Sequence, residues 1–175
     1  MLFLNFNHFI QQFIKQIRQL INCPDPLNEI KGYLNTLTCE TLMKQVPFYD
    51  DLEVCLFEDK TVSIWYCRFI PGIKVPPHDH QMDVVVKIFD GTEHHGFYKN
   101  DNGKLIALKS TQVNAGEIVV LNGEQIHDVT PDKHKVSQAL HVYFGPLNKI
   151  KRTVWDKENN KALPFTIENY QALAQ

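Results

Sequence analysis

The sequence predicts a mainly β protein, a double-sheet jelly-roll barrel with a helical N-terminal segment packed on its outside. Three observations lead there. Between residues 51 and 156 the chain breaks into short runs rich in β-branched and aromatic residues, separated by turn formers at near-regular spacing. Residues 1–48 instead carry apolar positions at helical spacing. The 175 residues, 43% apolar and 22% charged, suffice for one globular domain with a core of its own.

The first helix is read from Phe6, Phe9, Ile10, Phe13, Ile14, Ile17, Leu20 and Ile21, with Gln11, Gln12, Lys15, Gln16, Arg18 and Gln19 between them. The apolar start Met1-Leu2-Phe3-Leu4 lacks the basic beginning, unbroken apolar core and cleavage site of a signal peptide. Packing on the barrel is therefore expected rather than membrane contact. Pro24-Asp25-Pro26 interrupts the chain, and Asp25 caps a second helix with Pro26 at its first position, running to about Leu37. Glu40 to Gln45 adds a turn or two. The β-rich runs are Val54 to Phe57, Val62 to Ile70, Val84 to Phe89, His94 to Tyr98, Leu105 to Lys109, Glu117 to Leu121, His127 to Thr130 and Val136 to Phe144. Glu58-Asp59, Pro71-Gly72, Asp90-Gly91, Asp101-Asn102-Gly103 and Asn122-Gly123 break them. Residues 157–175 read as a C-terminal tail, and no repeat or linker divides the chain.

A net charge of −2 without a long basic run gives no electrostatic support for nucleic-acid or anionic-membrane binding. Cys23, Cys39, Cys55 and Cys67 form no Cys-x-x-Cys pair and no dense framework. They read as reduced structural thiols of a cytoplasmic protein, a monomer or homodimer.

The chemistry concentrates in Val75-Pro76-Pro77-His78-Asp79-His80 and in His127, which follows the turn at Asn122-Gly123. Residues i and i+2 of a strand share a face, so His78 and His80 can grip one ion while Asp79 faces away. A His-x-His pair alone is a weak signal, since about 0.4 are expected by chance in such a chain. The frame strengthens it: Gly72 before the pair, Gly91 closing the next apolar run, and Gly116 opening the strand that leads to His127. Other residues read more plainly. His94 and His95 face opposite sides of a strand and are not expected to ligate. His134 reads as loop, Cys55 and Cys67 as core, and Glu93 as a hairpin acid paired with a lysine.

With these residues in view, the segment from Gly72 through Tyr143 resembles the thiol dioxygenases of the cupin superfamily, which include cysteine dioxygenase and 3-mercaptopropionate dioxygenase. The matching pieces are Pro77-His78-Asp79-His80, Gly91-Thr92-Glu93, Ile126-His127-Asp128-Val129 and Ala139-Leu140-His141-Val142-Tyr143. The resemblance implies a cupin-type barrel in which His78, His80 and His127 ligate non-haem Fe(II), with Zn, Ni or Mn as alternatives. It also implies that His141 and Tyr143 act beside bound oxygen and substrate; the plain reading of that pair is a cross-strand contact in the barrel core. Where a general cupin offers a carboxylate this chain has Val84 and Val85, and Asp83 has the wrong parity, so three neutral ligands are expected. Such a site favours a thiolate ligand, and both oxygen atoms of O2 would end on sulfur as a sulfinate.

The chain departs from the mammalian-type pattern at Ala139, where that branch has the serine of a Ser-His-Tyr relay. It departs again at Val85, where that branch has the cysteine that crosslinks to the tyrosine. Gln81-Met82-Asp83 replaces the usual glycine and aromatic. Arg152, nine residues after Tyr143, matches the carboxylate-binding arginine of the 3-mercaptopropionate branch, although Lys149-Ile150-Lys151-Arg152 reads equally as a solvated basic rim. Arg68 is the second candidate anchor. The expected partners are a small-molecule thiol and O2. The alternatives are a cupin metalloenzyme with a different reaction, such as an isomerase or non-thiol dioxygenase, and a metal-dependent binding module without turnover.

Overall fold

A computed structural model describes residues 7–174; Met1 to Leu4 and Phe6 of the first helical stripe lie outside the described residues. The helix α1 (His8–Leu20) starts where the Asn7 side chain accepts a hydrogen bond from the Ile10 amide at 2.9 Å. It buries Ile10, Phe13 and Ile17 completely. The helix α2 (Pro26–Thr36) has Asp25 at its N-cap and proline in its first turn, and α3 (Cys39–Gln45) is capped by Thr38. These match the expected helices.

Eleven strands follow among the described residues. The first seven are β1 (Glu53–Glu58), β2 (Ser63–Phe69), β3 (Val75–His78), β4 (Val84–Asp90), β5 (Thr92–Asp101), β6 (Lys104–Asn114) and β7 (Ile118–Leu121). The rest are β8 (Ile126–Pro131), β9 (Ser137–Tyr143), β10 (Thr153–Asp156) and β11 (Lys161–Pro164). They form two antiparallel sheets, ordered β1-β2-β9-β4-β7 and β11-β10-β3-β8-β5-β6. The fold is the expected mainly β jelly roll with helices on the outside. The stretch read as a tail is structured, adding β11 and a closing helix α4 (Ile167–Leu173) capped by Thr166.

The five-stranded sheet has two unlike faces, because successive side chains point to opposite sides. Outward, Leu56, Ile64, Tyr66, Val85, Leu140 and Val142 pack with Ile10, Phe13, Ile17, Ile30, Leu34 and Leu42 of the helices. Each such side chain contributes roughly 1.5–3 kcal/mol by leaving water. Inward, Val84, Val86, Ile88, Ala139 and Tyr143 join Leu121, Phe97 and Val113 in the barrel interior. Among the described residues no helix is long and apolar enough to cross a membrane.

Candidate metal centre

Antiparallel pairing of β3 with β8 sets His78 directly opposite His127. His80 follows in the turn after β3, where Gln81 adopts φ 56° and donates its amide to the Gly123 carbonyl at 2.9 Å. A Cβ on Gly123 would stand 2.7 Å from the Met82 amide nitrogen, so only glycine lets the turns behind His80 and before His127 close on each other. Asp79 faces away as expected, and its carboxylate accepts from the Thr153 amide at 2.9 Å and from Gln81 Nε2 at 2.7 Å. That contact ties β10, and hence Arg152 beside it, to the His78-Asp79-His80 segment.

His78, His80 and His127 are buried, with ligand atoms all within 4.8 Å of one another. The Nε2 atoms of His80 and His127 are 3.0 Å apart. His78 Nδ1 lies 2.9 Å from the Pro76 carbonyl, which can only accept, so Nδ1 carries the proton and Nε2 keeps its lone pair. Burial holds all three imidazoles neutral at pH 7: the His78 pKa falls to about 3, and those of His80 and His127 fall well below the ordinary value. Neutral imidazoles are what a metal ligand requires. Asp83, the nearest acid in sequence, accepts from the Gly123 amide at 3.2 Å and does not join the group. The residues therefore fit a divalent ion held by three neutral nitrogens.

The sequence reading missed what stands behind His127. Neither His94 nor His95 joins the three-histidine group, as expected, but His95 is buried and its Nδ1 lies 3.2 Å from His127 Nδ1. Its Nε2 lies 3.1 Å from Glu93 Oε2, and the His95 and His127 rings are nearly parallel, with an interplanar angle of 5°. Glu93 is completely buried and meets no lysine among the described residues, which corrects its reading as a hairpin ion pair. His94 is exposed. The cue lay in the alternation Glu93-x-His95-x-Phe97, which puts all three on one face of β5, and the pairing Phe97↔His127 aims that face at the site.

His141 and Tyr143 also share a face, and both line the cavity beside the histidines. His141 Nδ1 is 3.0 Å from the Tyr143 hydroxyl, while its Nε2 is buried without a hydrogen-bond partner among the described residues. Burial lowers the His141 pKa to about 4 and raises that of Tyr143, so both are neutral at pH 7. The Tyr143 ring packs on His80 at 5.1 Å between centroids.

Arg152 lines the same cavity, with its guanidinium 3.8 Å from the centre of the Phe165 ring. Among the described residues, no carboxylate oxygen comes within 4.0 Å of it. Glu53 lines the cavity too, unforeseen from the sequence. It is solvent-exposed, yet protein packed around its carboxyl raises its pKa while Arg152 opposes the rise. Phe165 and Tyr170, from the C-terminal stretch, complete the wall, and the free volume is about 30 Å³.

Two expectations are corrected. Arg68 does not reach the cavity: Trp65, Cys67 and Phe69 of β2 line it, and Arg68 has the opposite parity. Its guanidinium donates to the Asp50 carbonyl and lies over the Phe48 ring at 5.0 Å. Val85, read as the counterpart of a crosslinking cysteine beside the tyrosine, packs against the helices instead, and Val86 faces the cavity. Cys67, read as core, is buried but lines the cavity as its only cysteine among the described residues.

No protein-family model matches the chain, and no curated protein does. Several solved structures are similar in fold. The DMSP lyase DddQ from Ruegeria pomeroyi DSS-3 aligns at 15% identity over 61% of this chain and 52% of its own, with a TM-score of 0.49. This chain thus spans about half of that lyase. A double-stranded β-helix protein from Klebsiella pneumoniae aligns at 14% identity over 66% of this chain and 89% of its own, TM-score 0.48. An RmlC-like cupin protein from Methanocaldococcus jannaschii aligns at 16% identity over 59% of this chain and 91% of its own, TM-score 0.47.

Proposed function

We propose that this protein is a non-haem iron thiol dioxygenase that adds both atoms of O2 to the sulfur of a small mercapto acid, 3-mercaptopropionate or a cysteine-like thiol. One observation carries the reading: a single small cavity gathers three neutral imidazoles, the His141–Tyr143 pair and a guanidinium without an ion-pair partner among the described residues. Held by His78, His80 and His127, Fe(II) would supply the Lewis-acid and redox chemistry that a thiolate and O2 require.

The protein's own residues do the rest. Arg152 binds the substrate carboxylate, and its contact with Phe165 fixes the plane in which a bidentate grip forms. The His141–Tyr143 pair holds one unclaimed proton in either tautomer. If His141 Nδ1–H donates to the hydroxyl oxygen, the Tyr143 O–H is free; if Tyr143 donates to Nδ1, the His141 Nε2–H is free. That proton serves the oxygen atoms developing on sulfur. The net change is thiolate plus O2 to sulfinate, with the thiol proton released on binding. Trp65 and Phe69 in the wall limit water around the reacting atoms. The same reading carries a cytoplasmic setting, in keeping with four free cysteines.

The test is O2 uptake by the anaerobically Fe(II)-loaded protein with 3-mercaptopropionate, cysteine and cysteamine in parallel, with His127→Ala as control. Sulfinate formation that vanishes in the variant is the expected result. Silence with all three thiols at confirmed iron occupancy overturns the reading and leaves a different cupin reaction or a binding role.

A further inference from the structure

We propose that Glu93, acting through His95, is the anionic support of the metal centre: a positioning carboxylate that fixes the His127 tautomer and balances the charge of the bound cation. The inference rests on the metal centre but not on the reaction proposed for it.

The hydrogen-bond chain has one consistent assignment once His127 ligates through Nε2. That nitrogen must offer its lone pair, so the His127 proton sits on Nδ1 and is donated to His95 Nδ1 across 3.2 Å. His95 then carries its own proton on Nε2 and donates it to Glu93 Oε2 across 3.1 Å. Every tautomer in the chain follows from one carboxylate. His78 receives the same service from the Pro76 carbonyl, but a carbonyl brings no charge.

The energetics of Glu93 point the same way. The buried carboxylate of Asp128 gives the contrast: it takes Lys74 Nζ at 2.8 Å, the Tyr98 hydroxyl at 2.5 Å and the Gly96 amide at 3.1 Å. Glu93 is more deeply buried than Asp128, yet His95 is its one hydrogen-bond partner among the described residues and Oε1 has none. A buried carboxylate left so poorly solvated is costly. Likewise, three neutral imidazoles leave a buried divalent ion without compensating negative charge. The two deficits lie at opposite ends of one hydrogen-bonded chain, and each is the remedy for the other. The carboxylate that many metal sites place on the ion stands here two groups behind it.

The test measures Co(II) affinity of the full chain by competition with a chromogenic chelator, together with melting temperature with and without Co(II). His95→Phe keeps an aromatic ring in the same place but removes both hydrogen bonds; His95→Gln loses the ring but keeps an acceptor for His127 and a donor for Glu93. The expected order is that His95→Phe weakens Co(II) binding by about 10- to 100-fold, while His95→Gln stays within about threefold of the parent chain. A residue serving only to pack would give the reverse order, and that result overturns the proposal. Glu93→Gln keeps the shape and removes the charge. It is expected to weaken Co(II) binding about tenfold while the metal-free variant melts no lower than the parent chain. A metal-free Glu93→Gln that melts lower, with Co(II) affinity intact, also overturns the proposal and remains decisive if His95→Phe does not fold.

Discussion

On the outward face of the five-stranded sheet, β2, β4 and β9 present Ile64, Tyr66, Val85, Leu140 and Val142 to the helices. On the inward face the alternate residues Trp65, Cys67, Val86, His141 and Tyr143 line the cavity that holds His78, His80 and His127. The strands and backbone hydrogen bonds are shared; only parity differs. The outward face is apolar and closely covered, so it stabilises the fold without requiring any one side-chain orientation. The inward face carries buried polar groups whose worth depends on orientation, and the stable outer layer lets the barrel tolerate them. Substitutions on the two faces should therefore separate stability from chemistry.

The sharpest break of that comparison is at the ligands. We predict that His127→Ala abolishes Co(II) binding and O2 uptake while the far-ultraviolet circular dichroism stays that of the parent chain, because His127, on β8 of the facing six-stranded sheet, lines the cavity that the inward face closes and is not part of the helix-packed core. A variant that loses the fold as well would show that the two faces are energetically one. The mirror experiment is Leu140→Ala, which removes a completely buried side chain from the outer face between two inward residues. Chemical denaturation should show a loss of about 2–5 kcal/mol, with Co(II) affinity unchanged. A comparable fall in affinity would contradict the separation.

A third prediction uses pH on an inner-face group that is not a ligand. His141 has a pKa near 4 in the folded protein because it is buried, against 6.5 for the free side chain. Above pH 6.5 it is neutral in both states and contributes no pH dependence. As pH falls from 6.5 to about 4, the unfolded chain takes up a proton that the folded chain does not, so stability is lost over that window and levels off below it. The loss ascribed to this group is about 3 kcal/mol. Denaturation of metal-free His141→Gln across the same window should lose correspondingly less than the parent chain; identical curves would show that His141 is not the group responsible.

How much of this was legible in the sequence follows from periodicity. The helix stripe of Ile10, Phe13 and Ile17 repeats at helical spacing and the caps Asn7, Asp25 and Thr38 precede their helices, so local rules apply. His78, His80 and His127 were legible because their spacing and flanking turns are local too. Val84-Val85-Val86 is apolar on both faces, and such a run carries no alternation from which to tell that Val86, not Val85, faces inward. Glu93 and His95 have readable alternation, but only the pairing of β5 with β8 decides that their face is the site's. The strand β11 is largely exposed and short, so no burial pattern announces it, and Phe165 and Tyr170 were missed with it.

Arg152 sharpens the comparison from outside the sheet, because it enters the cavity from the segment before β10 rather than from either face. Its place is set by the Thr153 amide on Asp79 and by the pairing of Val154 with His78, so Arg152 and the three histidines share one support. If Arg152 grips a substrate carboxylate, Arg152→Met removes that contact and spares the histidines. A charge-assisted hydrogen bond of this kind is worth about 1.5–3 kcal/mol. We therefore predict a rise of about 10- to 100-fold in KM for 3-mercaptopropionate, with a much smaller change for cysteamine, which has no carboxylate, and with Co(II) affinity unaltered. An equal rise for both thiols would mean that Arg152 shapes the cavity without reading the acid group. Loss of Co(II) binding would mean that the Asp79 contact transmits the substitution to the metal ligands, and the anchor and the centre would then act as one unit.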